Sequence, residues 1–356
     1  METRKIQQVS KGTFTVSIPR DWARETGLSA GDVVHVHTSL DGTLTIQPAA
    51  DQTANIDLAI DDESPEQLTH LLRTAYVLGV LRIRFSSEEG FNDRQRTALR
   101  STVRTLSGIA IGEESETLIT AGNVIDSEQV SVRQSVRHLQ FVALSRHREA
   151  TGALLDADRT QAAPPDDARS DRLAMLVKRY LVRSLSRLDA VDKLGENRVE
   201  LFSLFEVADE LARIASCADR MAAVALELDE SLCDLYDDEV AAEIEAAAID
   251  ARDVAETATE SVFDPDPDEI WSVLQTCDAV CETLDEVERR VFNSSDGNYR
   301  TSRVLSAVRR TAESAASIAS IGLRRAVQSG RFEGDRTAEA ESGDTTGSAV
   351  TTDADG

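Results

Sequence analysis

Lysine is almost absent from this chain of 356 residues. Only Lys5, Lys11, Lys178 and Lys193 occur, against 64 aspartate and glutamate side chains and a formal net charge of −26. A surface rich in carboxylates and poor in lysine is tolerable where salt screens the repulsion between like charges, and we interpret it as adaptation to a high-salt cytoplasm. The overall charge therefore says little about binding partners.

Cysteines and long apolar runs are also scarce. Four cysteines in so long a chain do not make a disulfide framework, and all four fall in helical patterns that place thiols in a core. The chain has no apolar run of about 18 residues and no charged leader before an apolar stretch. We therefore expect no stable membrane insertion and a cytoplasmic location. Its 41% hydrophobic content and seven prolines favour two or three largely helical domains.

The first 48 residues differ from the rest in charge. They carry five basic and five acidic side chains, so the whole net charge of −26 belongs to residues 49–356. The basic side chains are Arg4, Lys5, Lys11, Arg20 and Arg24. A basic cluster on an acidic chain is typical of a surface that binds a phosphate backbone. The alternative is that these side chains only solvate a small domain.

The same segment predicts two β-hairpins on either side of a short helix. Residues 13–18 alternate between polar and apolar side chains, and Pro19 suits the first position of a helix that Gly27 ends. A second hairpin is predicted to turn at residues 41–42. About nine apolar side chains are too few for a stable monomer of this size. We therefore expect the segment to fold as a dimer with a shared core.

The stretch VSKGTFTVSIPRDWARETGLSAGDVVHVHTSLDGTLTIQP resembles the swapped-hairpin DNA-binding domain of AbrB-type regulators and MazE-type antitoxins. The resemblance covers residues 3–48, and its landmarks are Lys11-Gly12, Val16 and Ile18 before Pro19, Leu28, and Gly31-Asp32. It implies an intertwined β-barrel homodimer formed by residues 1–48. It also implies that DNA contacts Arg4, Lys5, Lys11 and, on the short helix, Arg20 and Arg24.

Residues 53–128 predict a small α+β module. Strands are predicted at 55–60, 80–87, 109–115 and 117–125, and helices at 64–79 and 92–108. Ser64, Pro65 and Gln67 are typical of a helix start with a capping box. We recognise no catalytic constellation in this module.

From residue 129 onward the pattern is that of long amphipathic helices. Six are predicted, at 130–156, 170–194, 199–229, 238–262, 267–293 and 300–329. They form two sets of three, residues 129–232 and 236–330, and the spacing of about 105 residues suggests an internal duplication. Two three-helix bundles placed end to end are the simplest arrangement. Residues 331–356 are polar and acidic, and we predict that they are disordered.

Carboxylates recur at helical spacing in both sets of helices. Asp167 and Asp171 are four residues apart at a helix start, and Asp278, Glu282 and Asp285 follow on a later helix. Carboxylates at positions i and i+4 share a helix face and are able to chelate a hard metal ion. The competing interpretation is a solvated face, or partners for the helix dipole, in a very acidic chain.

The two sets of helices resemble PhoU, the phosphate uptake regulator, over residues 130–329 through DARSDRL, DELARIASCADRMA and VRRTAESAASIA. The whole layout resembles the archaeal kind in which an AbrB-like domain precedes PhoU. The resemblance implies acidic metal motifs, and the candidate ligands of a divalent metal or iron are Asp167, Asp171, Asp278, Glu282 and Glu313. Residues 212–216 lack both acids of one family motif, and residues 309–313 keep only Glu313. A weak or absent metal site is therefore expected.

Two further pairs are weaker candidates for metal ligands. Cys277 and Cys281 are one helical turn apart, but without a nearby Cys or His pair the spacing favours neutral core packing over a soft metal site. His35 and His37 share one face of a predicted strand and are candidates to bind metal across the dimer, but the pattern favours an exposed polar face. The chain has no glycine-rich phosphate loop, no nucleophile elbow and no Cys/His catalytic pair, so we do not expect an enzyme.

Taken together, the two resemblances imply a homodimeric DNA-binding regulator of phosphate uptake. Its PhoU-like body would dock on a phosphate ABC-transporter ATPase or a signalling protein and alter DNA binding by the AbrB-like domain. The alternative is an adaptor that acts only through protein contacts, with the AbrB-like hairpins serving dimerisation alone. A metal-dependent hydrolase has little support, because no carboxylate cluster is accompanied by a base or a water-activating histidine.

Overall fold

The computed structural model of the protein describes residues 3–10, 12–38, 43–48, 55–124, 131–155, 167–186, 194–228, 230–293 and 299–331. The strands are β1 Gln7–Ser10, β2 Thr13–Thr15, β3 Val34–Thr38, β4 Leu44–Pro48, β5 Asn55–Ala59, β6 Arg82–Ser86, β7 Ile109–Glu114 and β8 Leu118–Asn123. The helices are α1 Arg20–Glu25, α2 Pro65–Val77, α3 Asp93–Arg104, α4 Val132–Leu155, α5 Asp167–Ser186, α6 Arg198–Glu227, α7 Leu232–Leu235, α8 Asp238–Phe263, α9 Pro267–Asn293 and α10 Tyr299–Gln328. The fold is mixed α+β and mostly helical, with small sheets near the N-terminus.

Residues 3–48, which we call the head, contain two antiparallel strand pairs with α1 between them. Strand β1 pairs with β2, and β3 pairs with β4 so that Val34 lies opposite Pro48 and Thr38 opposite Leu44. The predicted pair of hairpins around a short helix is thus confirmed, although the predicted turn at residues 41–42 lies outside the described residues. Within one chain, the described strands of the head form two separate sheets and no closed barrel.

Residues 55–123, which we call the module, form a four-stranded sheet with the order β5-β6-β8-β7. Strands β5 and β6 are parallel, and the other two pairings are antiparallel. Along β6, Ile83 and Phe85 are fully buried beneath α2 and α3, whereas Arg82 and Arg84 lie on the exposed face. The sheet is therefore covered by helices on one face and open on the other.

The predicted helix start at Ser64 is confirmed by its hydrogen bonds. The Gln67 backbone N–H donates to Ser64 Oγ at 3.3 Å, and the Ser64 N–H donates to Gln67 Oε1 at 2.7 Å. Two amide groups that have no partner inside the helix are thus satisfied at the N-terminus of α2. All the strands and helices predicted for the module are present, with ends that differ by a few residues.

The six predicted long helices are confirmed as α4, α5 and α6 in a first set and α8, α9 and α10 in a second. The expectation that the sets lie end to end is wrong. Two hydrophobic clusters run through these helices, and each takes side chains from both sets. Leu211 of α6 and Ile318 of α10 share one cluster, and Val224 of α6 and Leu305 of α10 share the other. Helices α6 and α10 therefore lie antiparallel and side by side.

The side-by-side packing has a simple physical reason. Buried side chains extend along α6 from Leu201 to Ala225 and along α10 from Thr301 to Ala326. An apolar stripe that runs the full length of a helix must be covered along its full length. Of the helices that the structure describes, none is long and apolar enough to span a lipid bilayer.

Helix α5 joins the module to the other helices. Met175 of α5 packs against the core of the module. Arg172 Nη2 donates a hydrogen bond to the carbonyl oxygen of Arg104 at the end of α3, at 3.1 Å, and Arg179 Nη2 donates to the carbonyl oxygen of Val80 at 2.8 Å. The module thus packs against α5 through both apolar contacts and hydrogen bonds from arginine side chains.

Candidate nucleic-acid interface

The predicted DNA-binding side chains of the head lie on its surface. Arg4 and Lys5 are exposed just before β1, and Arg20 and Arg24 are exposed in the first and last turns of α1. Lys11, the fifth predicted residue, lies outside the described residues. The four described side chains are therefore accessible to a large ligand.

Arg24 lies in the last turn of α1, and local hydrogen bonds define where this helix ends. The Thr26 hydroxyl donates to the carbonyl oxygen of Trp22 at 2.7 Å, and the Leu28 N–H donates to that of Ala23 at 2.7 Å. Between them Gly27 has a φ of +69°, which a glycine adopts without steric cost. The chain therefore turns sharply after the helix and leaves the last turn of α1 open to solvent.

Arg24 is only weakly engaged within its own helix. Its Nη1 atom lies 3.9 Å from Asp21 Oδ1, and both side chains are mostly exposed. Exposed ion pairs of this kind contribute little free energy and are screened by salt. The guanidinium of Arg24 is therefore available to an external anion.

The head exposes an unusually large set of apolar side chains. Their exposed fractions run from 41% to 72%, and the set consists of Ile6, Val9, Phe14, Val16, Ile18, Val33, Val36 and Leu44. The three buried hydrophobic clusters of the chain contain none of them. So many exposed large apolar side chains on one short segment are typical of a segment that packs against another protein surface. The head, as one chain presents it, thus lacks a core of its own among its described residues.

The two histidines of the head occupy different environments. On β3, His35 is exposed, whereas His37 is buried with 9% of its surface accessible. The interpretation of the pair as an exposed polar face is therefore wrong for His37. The two side chains lie opposite Gln47 and Thr45 of β4, respectively.

Of the two candidate metal ligands of the first helical set, the side chain of Asp171 is described. Asp171 Oδ2 lies 3.9 Å from Arg73 Nη1 of α2, so this carboxylate faces a cation of the module. The side chain of Asp167 lies outside the described part of α5. The contact between Asp171 and Arg73 favours a role in holding the module against α5.

In the second helical set the candidate carboxylates lie on exposed helix faces. Asp278 and Glu282 are exposed on α9, and Glu313 of α10 accepts a hydrogen bond from Arg310 at 3.2 Å. Among the described residues, no three histidine, cysteine, aspartate or glutamate side chains are grouped so that they could hold a metal ion. Asp278 and Glu282 are thus solvated in one chain, and Glu313 is paired with a cation of its own helix.

The neighbouring cysteine pair belongs to the helical core. Cys277 is buried, and burial raises the pKa of its thiol to about 12. Cys281 is partly buried, and burial raises the pKa of its thiol as well. Both thiols are therefore protonated at neutral pH, and a thiolate is the form that binds metal.

One feature of the module was not predicted from the sequence. A cavity of about 400 Å³ opens at the carboxyl ends of β5 and β6, beside the turn between β7 and β8. Its charged side chains are Asp61, Arg84 and Glu88. Residues that directly follow the strands of a parallel pair meet at one edge of a sheet, where α/β proteins commonly bind ligands. Asp61 and Glu88 lie just beyond two successive strands, and this spacing in the sequence could have predicted the site.

Comparison of the chain with protein-family models, with curated proteins and with solved structures finds no match in any of the three. The resemblances to AbrB-type regulators and to PhoU therefore depend on the residues and spacings that carry them.

Proposed function

We propose that the protein is a homodimeric DNA-binding regulator of phosphate uptake. In this proposal, the heads of two chains fold together as an AbrB-like swapped-hairpin barrel that binds DNA. The long helices form a PhoU-like body that senses the state of phosphate transport through a protein partner.

The observation that carries the proposal is the combination of exposed apolar and exposed basic side chains on one short segment. The apolar set of the head, which includes Phe14 and Val33 at 67% and 72% exposure, requires a partner surface. A second copy of the head supplies apolar surface of the same extent, as a two-fold homodimer requires. The core that one chain lacks is then built from two.

Dimerisation also explains how so few basic side chains can form a DNA-binding surface. A two-fold axis doubles Arg4, Lys5, Arg20 and Arg24 on a segment that has no net charge. Arginine is able to donate two hydrogen bonds to the guanine edge in the major groove, and lysine contacts phosphates. In concentrated salt, counterion release contributes little affinity, so contacts with base edges and DNA shape must contribute more.

The proposal for the body depends on the resemblance to PhoU and is supported by the helical architecture. Six long helices in two sets of three are present, and the sets pack side by side over their length. Because α5 contacts both the other long helices and the module, the binding of a partner to the body can be coupled to the module through α5. A phosphate ABC-transporter ATPase or a signalling protein of the same pathway is the partner that the proposal names.

An electrophoretic mobility shift assay of the full-length protein tests the DNA-binding part of the proposal. The probes are the DNA upstream of the organism's phosphate-transport genes and an unrelated duplex of equal length and base composition, in high potassium chloride. We expect a shift of the first probe at protein concentrations that leave the second unshifted. If neither probe shifts, the hairpins serve dimerisation alone and the protein is the adaptor of the alternative hypothesis.

A further inference from the structure

The cavity of the module has the composition of a ligand site. It lies where β5 and β6 end, and the loops after these two parallel strands, together with the β7–β8 turn, form its walls. Four hydroxyl groups line it, those of Ser86, Ser87, Ser115 and Thr117. Its volume of about 400 Å³ is within the range of pockets that bind small molecules.

The charged side chains at the cavity have no partners within the described part of the chain. Asp61, Arg84 and Glu88 form no ion pair and no side-chain hydrogen bond with another described residue. Two other arginines of the module are paired, since Arg96 and Arg100 both bind Glu114. The cavity thus brings three charged side chains without a described partner to one place, where a ligand could pair with them.

Arg84 is the middle residue of β6, which is an interior strand of the sheet. In the sheet it lies opposite Asp57 of β5 and Thr120 of β8, and the two fully buried neighbours Ile83 and Phe85 anchor β6 from the other face. An arginine presents a planar set of donors that matches a carboxylate with two parallel hydrogen bonds. Because the backbone of Arg84 is held within the sheet at the cavity, its guanidinium is placed to meet a ligand that carries a carboxylate.

We propose that this cavity binds a free α-amino acid with a cationic side chain. The two carboxylates of Asp61 and Glu88 complement two ammonium groups, and the guanidinium of Arg84 complements one carboxylate. A basic amino acid carries this combination of charges, and its net charge of +1 balances the net charge of −1 of the three side chains. The hydroxyl groups donate and accept hydrogen bonds to the same ligand groups.

Isothermal titration calorimetry of the full-length protein with L-lysine, L-ornithine and L-arginine tests the proposal, in the potassium chloride concentration that keeps the protein folded. Three analogues of lysine each remove one charge: cadaverine lacks the carboxylate, ε-aminocaproate lacks the α-ammonium group, and L-norleucine lacks the side-chain ammonium group. We expect at least one of the three basic amino acids to bind. Each analogue should bind roughly tenfold to a hundredfold more weakly than lysine does, as the loss of a charged hydrogen bond predicts.

Variants of the cavity provide the second measurement. Arg84→Gln, and separately Glu88→Gln, should weaken lysine binding roughly tenfold or more. Arg82→Gln is the matched control, because Arg82 lies on the same face of the same strand and does not line the cavity. We expect it to bind lysine as the unmodified protein does. Circular dichroism of all three variants verifies that each is folded.

Three results would overturn the proposal. The first is that none of the three basic amino acids binds. The second is that cadaverine or norleucine binds as tightly as lysine, because the cavity would then not recognise both the carboxylate and the side-chain ammonium group of the ligand. The third is that Arg84→Gln and Arg82→Gln change the affinity equally. The outcome is independent of DNA binding, since the head takes no part in the cavity.

Discussion

The guanidinium of Arg179 lies over the ring of Tyr76, with 4.6 Å between its Cζ atom and the ring centroid. It also donates hydrogen bonds to the carbonyl oxygens of Tyr76 and Val80, the second at 2.8 Å. A buried cation of α5 therefore sits at the C-terminal end of α2, where carbonyl groups carry partial negative charge. The Tyr76 hydroxyl donates to the carbonyl oxygen of Ser107 at 2.8 Å, which extends the contact into the module.

Replacement of Arg179 by methionine should destabilise the protein. Arg179 is 3% exposed, and its loss would leave buried carbonyl groups without a donor. We expect the free energy of unfolding to fall by about 2–4 kcal/mol, measured by urea denaturation at constant potassium chloride. Arg94→Met is the control, because Arg94 is exposed on α3 and should change stability by less than about 0.5 kcal/mol. Equal effects of the two substitutions would contradict the role given to Arg179.

A side chain at position 79 should destabilise the protein. The φ of Gly79 is +78°, and a Cβ atom there would lie 2.9 Å from the Cβ of Arg183 on α5. Gly195 has a φ of +67° but no described atom within 4 Å of an added Cβ. Gly195→Ala should therefore cost about 1–2 kcal/mol for the backbone conformation alone, and Gly79→Ala should cost about 1–3 kcal/mol more for the clash. Thermal unfolding of both variants measures the difference, and equal losses would mean that the module does not press on α5.

His147 should make the protein sensitive to acid. The side chain is completely buried, and burial first, then the nearby Arg252, lowers its pKa from 6.5 to about 3. Because the unfolded chain takes up a proton that the folded chain refuses, stability should fall as the pH drops from about 6.5 toward about 3.

His147→Leu should remove this part of the pH dependence. Neither ring nitrogen of His147 has a hydrogen-bond partner among the described residues, so we expect no loss of stability at pH 7. The measurement is the urea midpoint of both proteins at a series of pH values below neutrality. His70→Leu is the control at an exposed position of α2. A slope that is the same in His147→Leu and in the unmodified protein would exclude His147 as its source.

Phe14→Asp should convert the proposed dimer into a monomer. Phe14 is 67% exposed in one chain, and the proposal places it in the shared core of two heads. Phe141→Asp is a matched control, because Phe141 is 69% exposed on α4, away from the head. Sedimentation velocity should show a monomer for Phe14→Asp and a dimer for Phe141→Asp. A dimer in both cases would place the self-association surface elsewhere.

The sequence allowed the elements to be predicted well, because their ends are marked by residues with local effects. Ser64 and Gln67 define the start of α2, and Pro267 marks the start of α9, without reference to the rest of the chain. The side-by-side packing of α6 and α10 was not predictable in this way. An amphipathic pattern shows which face of a helix is buried but not which helix covers it.

The functional features were predicted unequally for a similar reason. The basic side chains of the head lie within one short stretch of sequence, so Arg4 and Lys5 could be recognised together with the others. The cavity of the module combines Asp61, Arg84 and Glu88 with a turn near residue 116, and only the parallel pairing of β5 and β6 brings these segments together. Arg179 was missed because an arginine in a helix is usually taken as exposed, whereas here it caps another helix.

The most direct test of the central proposal compares two double variants in the mobility shift assay. Arg4→Ala with Lys5→Ala removes two positive charges from the head, and Arg94→Ala with Arg289→Ala removes two exposed positive charges from outside it. We expect the first variant to bind the phosphate-transport DNA at least roughly tenfold more weakly and with a smaller dependence on salt, and the second to bind as the unmodified protein does. Equal binding by both double variants would contradict the assignment of the head as the DNA-binding surface.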